Sequence, residues 1–366
     1  MTDRIRIGVL NDAADLRADE NNDSPAYHDI AFWLDREIAA LRSTGCALPE
    51  VEIVHAYALG LPGGTGAAVE DACHRLIDDG VALIVGPFVS DNAAIAARVY
   101  EDRRVPAVIC SHDEHARTRH AFQLQSGGAV EEAARLVQYL FTSGCSRPVV
   151  LHETSRLGER LAKAFLEEAA IAGLAPRVRI AVPSQAGAHE VPDTLAPALN
   201  EGDVRSGALI YLGRTAPPRE LRDAIGQSGY DGACLLNLLA AQNAATPHAP
   251  ASREDLEGWL HLSLVTESNP RFRTLQDEFP DACAHHGAMA RDQDLARLVA
   301  HALARAPSLT PSGMRLALEQ VRLLPAAQGE EGTMLGFGPL VRAALQGPYL
   351  TIRKWTAGDS VAITAT

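Results

Sequence analysis

The sequence has very little lysine, few aromatic residues, no closely spaced cysteines and no long apolar run. Lys163 and Lys354 are the only lysines, and the 33 basic residues face 46 acidic ones, for a net charge of −13. Nucleic acids and anionic membrane surfaces are gripped by clustered cations, whereas these arginines are dispersed among acids, so neither partner is expected. No apolar stretch nears the roughly 20 residues that span a bilayer, so direct membrane insertion is not expected either. Aromatics make up only 5% of the chain, which leaves Ala, Leu, Val and Ile to build the core. The six cysteines (Cys46, Cys73, Cys110, Cys145, Cys234, Cys283) form no CxxC pair and read as buried thiols. A Cys46–Cys73 bridge stays open if the protein is exported. Enzyme signatures are missing too: there is no GxSxG elbow, no GxxxxGK[ST] loop and no GxGxxG after the first strand. LPGGTG lacks the lysine of a phosphate loop and reads as a tight turn. No catalytic residue and no cofactor is therefore expected.

What is present is a long alternation. At 366 residues the chain exceeds what one core usually organises, so two domains are expected. Ile5 to Leu10 reads as a strand, and a helix is expected from about Ala26, after Pro25, to Arg42. Val51–Tyr57 is a second strand, followed by a helix through Ala72 and Leu76. Val81–Val85 is a continuous apolar run, the mark of a strand buried on both faces of a parallel sheet. Helix 92–104 and strand Val105–Cys110 follow. The pattern then restarts: helix 129–143, with Ala133, Leu136, Val137, Leu140 and Phe141 on one apolar face, strand 148–151, and helix 157–172 closed by Gly173. Strands at 208–212 and 233–238 flank helix 218–227. A strand at 258–265, helices at 291–305 and 313–323, and a terminal hairpin turning at 357–359 complete the reading. The fold class is α/β, with two Rossmann-like lobes built on parallel-rich sheets.

Several segments together resemble one family. GVALIVGPFVSDNAAIAARVYEDRRVPAVICS (residues 80–111), FQLQSGGAVEEAARLVQYL, SRPVVLHETSRLGERLAKAFLEEAAIAGL and LTIRKWTAGDSV resemble, in order, the periplasmic solute-binding proteins for leucine, isoleucine and valine. The resemblance implies the type I periplasmic-binding fold: two lobes joined by a three-crossover hinge and closing on a ligand in the cleft between them. Matching segments puts the crossovers near 122–125, 258–266 and 332–338. Lobe one is then 1–122 plus 265–333, and lobe two is 123–264 plus 334–366.

Ligands of such sheets bind beyond the carboxyl ends of the strands. On that basis Ser90, at the turn after Gly86-Pro87, is a candidate for a ligand carboxylate or carbonyl, and equally for the cap of the following helix. Cys110, Ser111 and His112 follow the next strand, and Ser111 is the preferred match for a hydroxyl that holds a ligand's polar end. Ser155 and Arg156 occupy the corresponding loop of the second half, and Arg214 follows the next strand. Asn237 stands near where amino-acid-binding members of the family place an acid that pairs with the ligand's ammonium. An amide cannot supply that charge, which argues against a free amino acid as ligand. His112, Asp113, Glu114, His115 and His120 are zinc-type residues, but their spacing is not HExxH and a polar loop is the expected reading.

Three functional readings follow. The leading one is a solute-binding protein that delivers a small organic ligand to the membrane subunits of an ABC-type importer. The second is a cytoplasmic sensor of the same fold that controls a regulatory protein. The third is a metal-dependent enzyme using the His112–His115 loop. MTDRIRIGVL enters a strand with no signal-like segment before it, so the sequence as given reads as cytoplasmic; a removed signal would make the protein periplasmic or extracytoplasmic.

Overall fold

The structure, a computed structural model, describes residues 4–14, 26–183, 195–200, 207–244 and 253–363. The chain divides into two compact units, residues 1–126 with 265–349, and residues 127–264 with 350–366.

The first unit opens with β1 (Arg4–Asn11), β2 (Ala13–Ala14), α1 (Ile30–Ser43), β3 (Glu50–Leu59), α2 (Gly66–Asp78), β4 (Leu83–Val85), α3 (Ser90–Arg103), β5 (Ala107–Ser111) and β6 (Ala121–Gln125). Their sheet runs β2-β3-β1-β4-β5-β6, parallel except for β2. Ile7 of β1 stands between Ile53 of β3 and Leu83 of β4. The chain therefore leaves β1 in one direction for β3 and in the other for β4, which is a topological switch point. All three residues of β4 are fully buried, as a strand covered on both faces requires. Leu10, Val69, Leu76, Ile84, Tyr100 and Ile109 belong to the core between this sheet and α2 and α3.

Side-chain caps set the helix starts. Asp29 accepts from the backbone N–H of Ala31 at 2.9 Å, so α1 begins at Ile30, and Ala26–His28 forms a separate 3-10 turn rather than the helix start expected from the sequence. Pro25 lies outside the described residues. Thr65 caps α2 in the same way, which gives the LPGGTG segment its role as a turn into that helix.

The second unit holds α4 (Ala129–Thr142), β7 (Val149–Glu153), α5 (Arg156–Ile171), β8 (Val178–Val182), α6 (Leu195–Asn200), β9 (Ala208–Leu212), α7 (Arg219–Gln227), β10 (Ala233–Leu236), α8 (Leu238–Ala244) and β11 (Leu260–Ser263). Gly173, at φ +73, takes the left-handed conformation just past α5. On α4, Ala133, Leu136, Val137 and Leu140 are buried, but Phe141 is 65% exposed. Eight residues of a 3.6-residue helix overshoot two turns by about 80°, so the expected apolar stripe loses its last member to solvent.

The chain then returns to the first unit as α9 (Pro270–Glu278), α10 (His286–Leu303), α11 (Pro311–Leu318), β12 (Leu324–Pro325), β13 (Met334–Leu335) and β14 (Leu345–Gln346). It ends in the second unit as β15 (Thr351–Thr356) and β16 (Asp359–Ala362), a hairpin added antiparallel to β11. The second sheet runs β16-β15-β11-β10-β9-β7-β8, so β7 is its switch strand between β8 and β9. The His261 ring stacks on Trp355 at 4.0 Å and fixes the hairpin on the sheet.

Two boundaries differ from those read in the sequence. Residues 123–126 and 334–349 lie in the first unit, so the third passage of the chain falls at 349–350 and not near 332–338. The reason is backbone pairing: the Gln123 N–H donates to the Arg342 carbonyl at 2.7 Å, and the Gln125 side chain exchanges two hydrogen bonds with Leu345. Cys46 and Cys73 are both free thiols; Cys46 is exposed, and buried Cys73 lies against the Tyr100 hydroxyl.

Candidate functional site

In the first unit the carboxyl ends of β1, β4 and β5 are stitched together by polar groups. Asp12 directly follows β1 and is 1% exposed. Its carboxylate accepts from the backbone N–H groups of Phe88 (2.8 Å) and Val89 (3.0 Å), and from the Asn92 amide (2.8 Å). Burial raises its pKa, opposed by those three donors. Gly86, at φ +106, makes the turn that brings Phe88 and Val89 to it. Ser90, the first residue of α3 and half-buried, accepts at its hydroxyl from the His112 N–H at 2.9 Å, which ties the loop after β4 to the loop after β5.

The other expected residues of this loop lie deeper. Cys110 is buried, and burial pushes its thiol up to about 12, so it is neither thiolate nor nucleophile at neutral pH. Ser111 is fully buried: its hydroxyl accepts from the Asp113 N–H and its carbonyl accepts from the Gln123 amide and the Ser126 N–H. Of the metal-type residues, Asp113, Glu114 and His115 bring ligand atoms within 4.8 Å of one another, whereas His120 turns away to Glu101 at 3.1 Å. Among the described residues His112, His115 and His120 are thus not brought together as one ligand set.

The second unit repeats the device. Glu153 ends β7 and is 1% exposed. Its Oε1 accepts from the Tyr211 hydroxyl (3.2 Å), the Thr215 N–H (3.0 Å) and the Thr215 hydroxyl (2.8 Å), while Oε2 accepts from Ser155 (3.3 Å). Ser155 caps α5 through the Gly158 N–H, and Arg156 beside it is exposed. Arg214 is half-buried in the loop after β9. Asn237 is fully buried and accepts from the Gly213 N–H at 2.8 Å, so it braces that loop from beneath. Behind it Glu132, from the first turn of α4, accepts from the Leu238 N–H at 2.8 Å, and burial lifts its carboxyl to about 8.

Asp12, Glu132 and Glu153 were not among the residues picked from the sequence. For Asp12 and Glu153 a signal existed: an acid at the carboxyl end of the first strand of each half. A groove of about 850 Å³ in the second unit lies at the opposite, amino-terminal ends of the strands, lined by residues including Arg222, Tyr230, Cys234, Asp255 and Trp259.

Comparisons with known proteins agree with this architecture. The family model for periplasmic binding proteins matches residues 62–344. Solved structures of similar fold include an ABC transporter substrate-binding protein from Desulfitobacterium hafniense in complex with Leu, at 16% identity and TM-score 0.73, covering 99% of this chain and 100% of that one. A leucine-binding protein from Thermotoga maritima is 16% identical at TM-score 0.66, with 97% of each chain covered. An extracellular ligand-binding receptor from Rhodopseudomonas palustris is 13% identical at TM-score 0.65, covering 99% of this chain and 100% of the other. At these identities the likeness is one of fold. No curated protein matches the sequence.

Proposed function

The chain belongs to the periplasmic binding protein family, and we propose on that premise that it is the substrate-binding component of an ABC-type importer. Its cargo is a small organic molecule, held by groups at the carboxyl ends of the parallel strands of its units. The observation that carries this reading is the repeated clamp, Asp12 on the loop after β4 and Glu153 on the loop after β9. Each clamp rigidifies a loop at a switch point, where doubly wound sheets bind their ligands.

Ser90, His112, Ser155, Arg156 and Arg214 are the groups proposed to meet the ligand, and Cys110, Ser111 and Asn237 form the layer beneath them. Two of the similar proteins bear leucine in their names or crystals. Here the place near Asn237 offers a buried amide whose oxygen accepts from the Gly213 N–H, and an amide carries no charge to pair with an ammonium, while burial disfavours the charged form of the neighbouring Glu132 carboxyl. The ligand proposed is therefore an organic compound without a free α-ammonium group. This reading assigns the chain no catalysis.

A thermal-shift screen against amino acids, amides, aromatic and aliphatic acids tests it. A true ligand at 100 to 1,000 times its Kd stabilises by about 3–4 kcal/mol, a readily measured rise in Tm. A flat screen on well-folded protein would contradict the reading.

A further inference from the structure

Arg291, on α10 of the first unit, is a cation held in place through Nε, with its four Nη–H donors unengaged by any described residue. We propose that it binds a carboxylate of the ligand, an inference that rests on the small-molecule binding function proposed above. Its Nε donates to Asp292 Oδ1 at 2.8 Å, and its guanidinium carbon lies 5.2 Å from the centroid of the Phe88 ring. Phe88 is in the loop between β4 and α3, two residues before Ser90. Arg291 is also coupled electrostatically to Asp12 after β1 and to Cys110 on β5. The side chain thus borders the ends of the three strands on which the first unit's candidate site is built.

The ordinary alternative is a surface arginine satisfied by its acidic neighbour. Two features argue against it. The side chain is only 33% exposed, so it lies against the protein and not out in solvent. Its two Nη groups make no hydrogen bond among the described residues, while Nε is fixed by Asp292 and the guanidinium carbon lies over the Phe88 ring. A guanidinium anchored in that way keeps the two parallel N–H groups that suit the two oxygens of a carboxylate.

Phosphate is a poorer match. Phosphate sites use free loop N–H groups, and here the N–H groups of Phe88 and Val89 already donate to Asp12, whose carboxylate would repel a dianion. A monocarboxylate needs only the guanidinium fork.

The test is calorimetric titration with paired probes that differ only in charge: benzoate and benzamide, phenylacetate and phenylacetamide, isovalerate and isovaleramide. The wild type should bind at least one acid about tenfold to a hundredfold more tightly than its amide. Arg291→Gln should erase that preference, weakening the acid by the same factor and leaving the amide within about twofold. Arg291→Lys, which keeps the charge but not the fork, should recover only part of it. Equal affinity for acid and amide in the wild type, or an unchanged preference in Arg291→Gln, would overturn the assignment of Arg291 and leave the binding function standing. No binding by these probes or by any neutral library compound would overturn both.

Discussion

Glu153 occupies in the second unit the place that Asp12 occupies in the first. Each carboxylate ends or follows the switch strand of its sheet, is 1% exposed, and accepts from the backbone of the loop after the neighbouring strand, two N–H groups for Asp12 and one for Glu153. A buried carboxylate is tolerated only when its oxygens are satisfied, so each clamp commits its loop to one conformation. Pre-formed loops lower the ordering cost of binding, which links a folding feature to affinity.

Truncating the clamps should therefore cost far more than surface changes. Asp12→Ala leaves two backbone N–H groups and the Asn92 amide without their acceptor, for an expected loss of about 3 kcal/mol or more. Glu153→Ala should behave likewise, and Thr215→Val, which removes a single hydroxyl from that network, should cost about 1 kcal/mol. Urea unfolding of the three variants checks the ranking. A loss below about 1 kcal/mol for both alanine variants would contradict the role given to the clamps.

Glu132 should make stability fall as pH rises. Its folded carboxyl titrates near 8 against an ordinary value of 4.5, because burial disfavours the charged form. Between those values the native state keeps a proton that the unfolded chain has released, so stability declines with rising pH through that window and levels off above it. Asp294, raised to about 7 by burial, adds to the decline over the lower part of the window. Glu132→Gln keeps an acceptor for the Leu238 N–H and removes the titration. Relative to wild type it should gain at least about 1 kcal/mol between pH 5.5 and 8.5, measured as urea midpoints. Parallel curves for the two proteins would refute the assignment.

Gly86 and Gly45 make a matched pair. Both have positive φ, +106 and +89 respectively. A Cβ at Gly86 would lie 2.7 Å from the Leu10 carbonyl oxygen, whereas one at Gly45 meets nothing within 4 Å. Gly45→Ala should cost about 1 kcal/mol from backbone strain alone, and Gly86→Ala at least twice that, with weakened ligand binding as its loop shifts. Equal losses would mean that the close approach at Gly86 relaxes freely.

Thiol chemistry should divide the cysteines by depth. Cys46 and Cys283 are exposed and should react quickly with a thiol reagent at pH 8. Cys73, Cys110 and Cys234 are buried, with thiols pushed up to about 12, and should react only on unfolding. Cys145 is half-buried and falls between the two classes, so fast reaction of more than three thiols in the native protein would contradict the packing described.

Much of the fold was legible because buried parallel strands and amphipathic helices leave periodic traces. The Val81–Val85 run, the apolar stripe of α4 through Leu140, and Gly173 after α5 all read directly. What did not read were events between segments distant in sequence. The pairing of 342–345 with Gln123 and Gln125 moved a boundary, and it depends on backbone groups any residue would supply. Caps were half-legible: Asp29 overruled the start expected after Pro25 because its side chain reaches the Ala31 N–H. Within the site, Ser90 and His112 were picked by position and are joined to each other. Cys110, Ser111 and Asn237 were picked by the same rule, yet they are 0–2% exposed; His112, at 8%, lies only a little nearer the surface. Arg291 was passed over as the first residue of an expected helix, since nothing in one dimension places α10 beside Phe88.

Hydrogen–deuterium exchange with and without a compound from the thermal-shift screen is the most direct test of where the ligand lies. Protection concentrated at residues 86–92, 111–115, 154–158 and 213–216 is the predicted result. Protection centred instead on the groove around Arg222, Tyr230 and Trp259, or none at all at saturating ligand, would contradict a site at the carboxyl ends of the strands.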